Sequence, residues 1–248
     1  MRRHQWQVSP AKARAIQQRL AAAVRLAPLR QVSTVAGLDC AFAGDRVFAA
    51  VVAWDVERRR VVERRALSLA LRFPYVPGLL SFREAPALLA ALRRLRAPVD
   101  ALLCDGQGIA HPRRFGLACH LGVLLGLPAV GCAKSRLIGD WVELGPSRGE
   151  RSPLTQGAER IGTVLRTRTG VKPLFVSPGH LCDVEGATDL VLRCGGGLRL
   201  PEPVRLADRY VGAFKRAQSR NQAAARLGGG LKPADQSGQS GQRPSVAK

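Results

Sequence analysis

The sequence predicts a mixed α/β fold. Three segments in the first third of the chain are rich in strand-forming residues and are joined by short links, which favours an antiparallel meander. Two later segments are wholly apolar and alternate with helical patterns, as is typical of buried parallel strands. We therefore expect one mixed sheet, with three antiparallel strands followed by parallel strands, flanked by helices.

Capping residues and hydrophobic spacing define the individual elements. A first helix is predicted over 10–26, because Ser9 suits the N-cap and Pro10 suits the first helical position. The meander follows at 32–42, 46–56 and 60–71. Beyond a Pro- and Gly-rich stretch, the pattern predicts helices at 84–92 and 115–125 and apolar strands at 99–104 and 128–133. The last elements expected are strands at 160–168 and 174–177 and helices at 184–193 and 203–216.

Domain organisation follows from length and composition. The chain has 248 residues and 46% hydrophobic content, which is enough for one sizeable core, so we expect one domain over residues 1–226. Residues 227–248 are rich in Gly, Ser and Gln and have too few apolar side chains to offset the entropy cost of ordering. We predict that this tail is disordered. The stretch from Gly139 to Gly157 is expected to be a long loop without an assigned role.

The charge balance indicates a polyanionic partner. Lys and Arg number 39 against 18 Asp and Glu, a net charge of +21. Such a surface suits DNA or RNA, with an anionic membrane surface as the lesser option. Part of the arginine excess is equally explained by a GC-rich genome, so charge alone does not identify the partner.

Cysteine usage indicates the compartment. The six cysteines are scattered, none forms a C-x-x-C pair, and no leader-like or membrane-spanning apolar run is present. We expect free thiols in a cytoplasmic protein that has no membrane association.

Three carboxylates interrupt this basic sequence where an expected strand or helix meets a turn: Asp39, Glu84 and Asp105. Carboxylates hold hard divalent cations, and such cations promote phosphodiester hydrolysis, so we hypothesise a metal-dependent nuclease. Taken singly, Asp39 could be a turn residue, Glu84 a charge favoured by a helix dipole, and Asp105 an ordinary strand-end carboxylate.

The order of the elements resembles a ribonuclease H-like fold, with one acid on the first strand and another after the fourth. Those two strands are neighbours in that fold, which places Asp39 beside Asp105. Because adjacent carboxylates repel each other at neutral pH, we expect at least one raised pKa in the metal-free protein. Such a site favours magnesium.

Five segments carry a closer resemblance, to the endonuclease V family, and the resemblance covers roughly residues 8–216. They are FPYVPG with FRE at 73–84, DGQGIAHPRRFG at 105–116, GCAKSRL at 131–137, VSPGH at 176–180 and LPEPVRLAD at 200–208.

The resemblance implies a role for each acidic position. Asp39 and Asp105 match the family's metal ligands, Glu84 its catalytic glutamate, and Asp208 a last active-site position that is Asp or His across the family. Lys134 matches the active-site lysine, which suits a phosphate oxygen or the attacking water. The implied cofactor is Mg²⁺, with Mn²⁺ as a possible substitute.

The resemblance also implies how a damaged base is recognised. Tyr75, held between prolines, matches a wedge that fills the gap left by a flipped base. The alternative is a purely structural role as a core or turn aromatic. The base pocket would be made by loop backbone, and His111 would lie close to Asp105 at the catalytic centre. The remaining pocket candidates are Pro77, Gly78, Gly106, Gly108 and Gly116.

The implied function is a DNA repair endonuclease. It would act, as a monomer, on deoxyinosine in double- or single-stranded DNA and hydrolyse the second phosphodiester bond on the 3′ side, leaving the lesion in place. Two alternatives stay open: an endoribonuclease that cuts inosine-containing RNA with the same site, and a noncatalytic nucleic-acid-binding module.

Overall fold

The structure, a computed structural model, describes residues 4–228, with side chains for residues 4–221. The described residues up to Lys215 form one compact unit, and the helical stretch from Arg216 to Gly228 belongs to a second unit. The predicted disordered tail therefore lies almost entirely outside the described residues.

The described elements comprise five helices and eight strands. The helices are α1 (Pro10–Ala21), α2 (Leu80–Leu92), α3 (Leu117–Leu125), α4 (Val184–Arg193) and α5 (Glu202–Gly228). The strands are β1 (Thr34–Ala43), β2 (Arg46–Asp55), β3 (Arg60–Ala70), β4 (Ala101–Cys104), β5 (Ala129–Ala133), β6 (Arg151–Gln156), β7 (Glu159–Leu165) and β8 (Leu174–His180). None of the described helices is long and apolar enough to cross a membrane.

All eight described strands form one mixed sheet in the order β3-β2-β1-β4-β5-β8-β7-β6. The β1-β2-β3 meander is antiparallel, and β4 and β5 continue the sheet parallel to β1, as predicted. The remaining strands β8, β7 and β6 pair antiparallel. The parallel part is therefore confined to the three central strands.

Successive side chains on the central strands point to opposite faces of the sheet, so the hydrophobic core is divided between the two faces. Leu102 faces a cluster built with α2 and α3, which includes Leu88 and Leu121. Its neighbour Leu103 faces the opposite cluster, which includes Leu190 of α4 and, among others, Val204 of α5. Buried on both faces, β4 has the continuous apolar sequence expected of a central parallel strand.

Several predicted boundaries were wrong. Helix α1 begins as expected, with the Ser9 side chain accepting a hydrogen bond from the Lys12 N–H at 3.2 Å, but it ends at Ala21. Helix α2 begins at Leu80, so Glu84 lies inside the helix rather than at a junction. Asp39 lies within β1 rather than at its end.

The predicted loop from 139 to 157 contains a strand. Its residues 151–156 form β6, which occupies the edge of the sheet and pairs only with β7 among the described strands. An edge position tolerates Pro153, because the missing N–H is not needed on the solvent side. The segment was overlooked because a proline and polar residues interrupt its strand pattern.

Candidate active site

Parallel pairing places the two aspartates side by side. In the β1–β4 register Leu38 is opposite Cys104, and the next residues in both strands are Asp39 and Asp105. The Asp105 N–H donates to the Leu38 carbonyl at 3.3 Å. Asp39 also accepts a hydrogen bond from the following backbone N–H at 2.9 Å, which fixes its carboxylate.

Helix α5 brings Asp208 to the same point. Its first turn packs against β1 at Gly37, where an added Cβ would lie 2.1 Å from the Pro203 carbonyl carbon. Only glycine permits this approach, and it lets Asp208 share a side-chain hydrogen bond with Asp39. A single glycine within an expected strand gave no sign of this packing in the sequence.

Glu84 reaches the aspartates from α2. The residue is only 9% exposed, although glutamate is rarely buried without a partner. Burial, followed by the charges of Asp39 and Asp105, raises its pKa from 4.5 to about 8. At neutral pH the metal-free protein therefore holds Glu84 largely protonated.

The expected rise in pKa is present on Asp39. Burial, then the charge of Asp105, raises the pKa of Asp39 from 3.8 to about 7, and the hydrogen bond with Asp208 acts in the same direction. The neighbouring N–H and Lys134 act in the opposite direction without cancelling the shift. The cluster therefore holds more carboxyl groups than it can ionise without added positive charge.

Lys134 supplies positive charge at the cluster. It follows β5 directly, and its Nζ forms an ion pair with Asp105 Oδ2. Burial lowers the pKa of Lys134, but the hydrogen bond and charge of Asp105 outweigh it, so the pKa is raised and the ammonium stays protonated. Arg199 supports this segment, because its Nη2 donates to the Lys134 carbonyl at 2.5 Å.

The donor set fits a hard divalent cation. Asp39 and Asp105 offer adjacent carboxylate oxygens. The pKa of Asp39 is raised and Asp105 is paired with Lys134, so added positive charge would stabilise the ionised pair. Among the described residues, no three His, Cys, Asp or Glu side chains form a metal-binding group on their own. Two carboxylates are enough to hold such a cation when water and substrate phosphate complete its coordination.

A cavity of about 390 Å³ adjoins the carboxylates. Asp105 and Lys134 belong to both the cluster and the cavity wall, and Tyr75 stands at the cavity with 72% of its surface exposed. Such exposure rules out a core role for this tyrosine. Of the other pocket candidates, the cavity wall includes Pro77, Gly78, Gly106, Gly116 and also His111.

Gly108 lies behind the cavity rather than on its wall. Its N–H donates to Ser177 Oγ at 2.8 Å, and an added Cβ would lie 2.1 Å from the Pro178 carbonyl oxygen. The close backbone approach expected at this glycine is therefore an approach to β8.

Sequence reasoning missed the residues that fix the loop from 106 to 116. Arg114 has a positive φ of 50° and donates to Glu159 Oε2 at 2.6 Å and to Gln156 Oε1 at 2.7 Å, so the β6–β7 turn supports the loop. On the other side, the loop is fixed by Arg113 and by Gln17 of α1. A run of two arginines gave no sign that their side chains reach opposite neighbours.

Paired carboxylates on neighbouring parallel strands, with a buried glutamate and a lysine beside them, define a nuclease of the ribonuclease H-like class. Comparison with known proteins then gives the family. The family model described as Endonuclease V matches residues 18–209. The chain belongs to the endonuclease V family.

Relatives and solved structures agree with this assignment. Endonuclease V of Geotalea uraniireducens is 53% identical over 201 residues, covering 81% of this chain and 86% of the relative. Endonuclease V of Methanothrix thermoacetophila is 48% identical over 215 residues, covering 87% and 95%. The Streptomyces avermitilis endonuclease V crystal structure, 43% identical, superposes with a TM-score of 0.81 over 86% of this chain and 96% of that one.

A more distant structure contains nucleic acid. Ciona intestinalis endonuclease V, 26% identical with a TM-score of 0.74, covers 84% of this chain and 98% of its own, and was crystallised with a 24mer DNA containing an inosine followed by a ribo-adenosine. These superpositions confirm the ribonuclease H-like fold.

Proposed function

We propose that this protein is a magnesium-dependent endonuclease that recognises deoxyinosine in DNA and hydrolyses the second phosphodiester bond on its 3′ side. One observation carries the proposal: the cavity that Tyr75 borders shares Asp105 and Lys134 with the carboxylate cluster. A recess large enough for a base and the carboxylates proposed to hold the cation thus adjoin each other on one surface.

Recognition is assigned to the cavity. An extruded hypoxanthine base would enter it, and Tyr75 would stack in the gap left in the helix, which requires an exposed aromatic side chain of the kind found here. The inosine-containing DNA bound to the Ciona intestinalis relative supports this substrate.

Cleavage is assigned to the carboxylates and Lys134. Asp39 and Asp105 would hold magnesium, which would supply activation of water and offset of charge on the scissile phosphate. The charge of a cation held there would favour the ionised form of Glu84, whose carboxylate would accept a proton from the attacking water. Lys134, protonated and beside Asp105, is placed to bind a nonbridging phosphate oxygen.

The alternatives differ in substrate or in catalysis. A noncatalytic module would have no need of a buried, mutually repelling carboxylate group, whose cost in stability is unexplained without a cation. Cutting of inosine-containing RNA would use the same residues, and the ribo-adenosine in the relative's DNA makes RNA the necessary comparison substrate.

All six cysteines are free thiols, which supports a reducing compartment.

The test compares matched oligonucleotides that carry a single inosine, one of DNA and one of RNA, with and without magnesium. The proposal expects magnesium-dependent nicking of the DNA at the second bond 3′ to the inosine and none of an undamaged control. Faster cutting of the RNA than of the DNA would identify the protein as an endoribonuclease. Binding without cutting would identify the noncatalytic module.

A further inference from the structure

The carbonyl oxygen of Gly78 accepts three side-chain hydrogen bonds. Gln17 Nε2 donates at 3.1 Å, His111 Nε2 at 3.0 Å and Arg113 Nη2 at 2.7 Å. The donors come from α1 and from the loop at 106–116, two parts of the chain that are far apart in sequence. A single backbone oxygen therefore joins three segments around the cavity.

The donors are also bonded to one another. Arg113 Nε donates to Gln17 Oε1 at 2.7 Å, and Gln17 Nε2 donates further to the Phe115 carbonyl at 3.2 Å. Gln17 is only 1% exposed. A buried amide with every group paired is costly to remove and fixes one arrangement of its neighbours.

The hydrogen bonds define the state of His111. The Arg113 N–H donates to His111 Nδ1 at 3.2 Å, so the ring proton is on Nε2 and is donated to Gly78. Burial lowers the pKa of His111 to about 4, which keeps the ring neutral at physiological pH. The imidazole is therefore committed to the protein backbone.

Gly78 occupies a left-handed backbone position between two functional residues. Its φ of 75° favours glycine, and it links the exposed Tyr75 to α2, which begins two residues later and carries Glu84. The Gly78 carbonyl is therefore the atom through which α1 and the loop at 106–116 hold the segment that carries Tyr75.

We propose that Gln17, His111 and Arg113 are positioning residues that hold the loop at 75–78 in the conformation needed to extrude a base from a duplex. The inference rests on the proposed function, since it assumes that Tyr75 fills the gap left by a flipped base. These side chains act on the substrate through Gly78 and its loop, without contacting the reacting phosphate.

The test uses Gln17→Met, which keeps the length of the side chain and removes its hydrogen bonds. Gln18→Met is the matched control, because Gln18 is the next residue of α1 and is exposed. A single-stranded substrate presents an inosine that is already unpaired, so it depends less on extrusion. For Gln17→Met we expect kcat/KM on duplex inosine to fall about tenfold, the equivalent of about one net hydrogen bond, while the single-stranded substrate changes less than about twofold.

A second variant and a coupling measurement separate positioning from general damage. Arg113→Met removes the other shared donor, and its effect on duplex cutting should be less than additive with Gln17→Met, because both act through one carbonyl. Equal losses on duplex and single-stranded DNA would overturn the inference, as would a Gln17→Met protein that behaves like Gln18→Met. If one variant fails to fold, the duplex to single-strand ratio of the other decides in the same way.

Amide hydrogen exchange tests the same contact without any substrate. Gln17→Met should speed exchange in residues 73–82, which includes the Leu79 N–H that donates to the Val76 carbonyl at 3.0 Å. Gln18→Met should leave it unchanged. Unchanged exchange in Gln17→Met would refute the positioning role even if the protein nicks inosine, whereas absence of nicking by the wild type would refute only the proposed function.

Discussion

Replacing Glu84 by Gln should make the metal-free protein more stable at neutral and alkaline pH while abolishing its activity. Glu84 is buried, and its pKa is raised from 4.5 to about 8, so the folded state binds its proton more tightly than the unfolded chain does. The stability that this proton provides is complete below pH 4.5 and is lost as the pH rises toward 8. Glutamine keeps the neutral shape at every pH.

The size of the effect follows from the shift in pKa. Each unit corresponds to about 1.4 kcal/mol, so ionisable Glu84 lowers the free energy of unfolding by on the order of 3 kcal/mol between pH 4.5 and pH 7. The Glu84→Gln variant should therefore lose less of its free energy of unfolding over this pH range, by a similar amount. Asp39, whose pKa is about 7, leaves a residual slope in the variant.

The assay is urea denaturation in the presence of a chelator at several pH values between 5 and 8. Wild type, Glu84→Gln and Glu57→Gln are compared, Glu57 being an exposed residue in the β2–β3 turn. Parallel pH profiles for all three proteins would refute the reasoning about burial. Magnesium added at pH 8 should stabilise the wild type, because a cation that binds only the folded state adds to its stability.

Three other substitutions have clear expected results. Gly37→Ala should destabilise the protein by more than about 2 kcal/mol in urea, because its Cβ would overlap Pro203, whereas Gly44→Asn in the open β1–β2 turn should change stability by less than about 0.5 kcal/mol. Tyr75→Ala should lower duplex nicking about tenfold or more with unchanged thermal stability, and Tyr75→Phe should retain activity; equal rates for both would exclude stacking. Lys134→Met should lower kcat about a hundredfold with a smaller change in KM, and a pure KM effect measured in steady-state kinetics would contradict its placement beside the reacting phosphate.

The sequence predicted the strands that are defined by short links or by continuous apolar runs. The links after Phe42 and Val56 predicted the meander, and the apolar run ending at Cys104 predicted a central parallel strand. The adjacency of Asp39 and Asp105 was expected from the resemblance to a ribonuclease H-like fold, and the pairing of β1 with β4 confirms it, as does the raised pKa of Asp39. These features depend on local sequence patterns or on the pairing of one strand with its neighbour.

Features set by long-range contacts were not predictable in the same way. The edge strand β6 is stabilised by pairing with β7 and has a poor strand sequence of its own. The early start of α2 left Glu84 inside a helix, where burial rather than the helix dipole determines its pKa. The hydrogen bonds to the Gly78 carbonyl span up to 61 positions of sequence, and the neighbouring Arg113–Gln17 bond spans 96, so no local motif reveals them.

The decisive experiment is nicking of a duplex with one deoxyinosine by the wild type and by Asp105→Ala, with and without magnesium. We expect a magnesium-dependent nick at the second bond 3′ to the inosine for the wild type, no nick in the undamaged control, and loss of at least about a thousandfold in the variant, since Asp105 joins the cation site to the cavity. Retained magnesium-dependent nicking by Asp105→Ala would contradict the assignment of this carboxylate cluster as the catalytic centre.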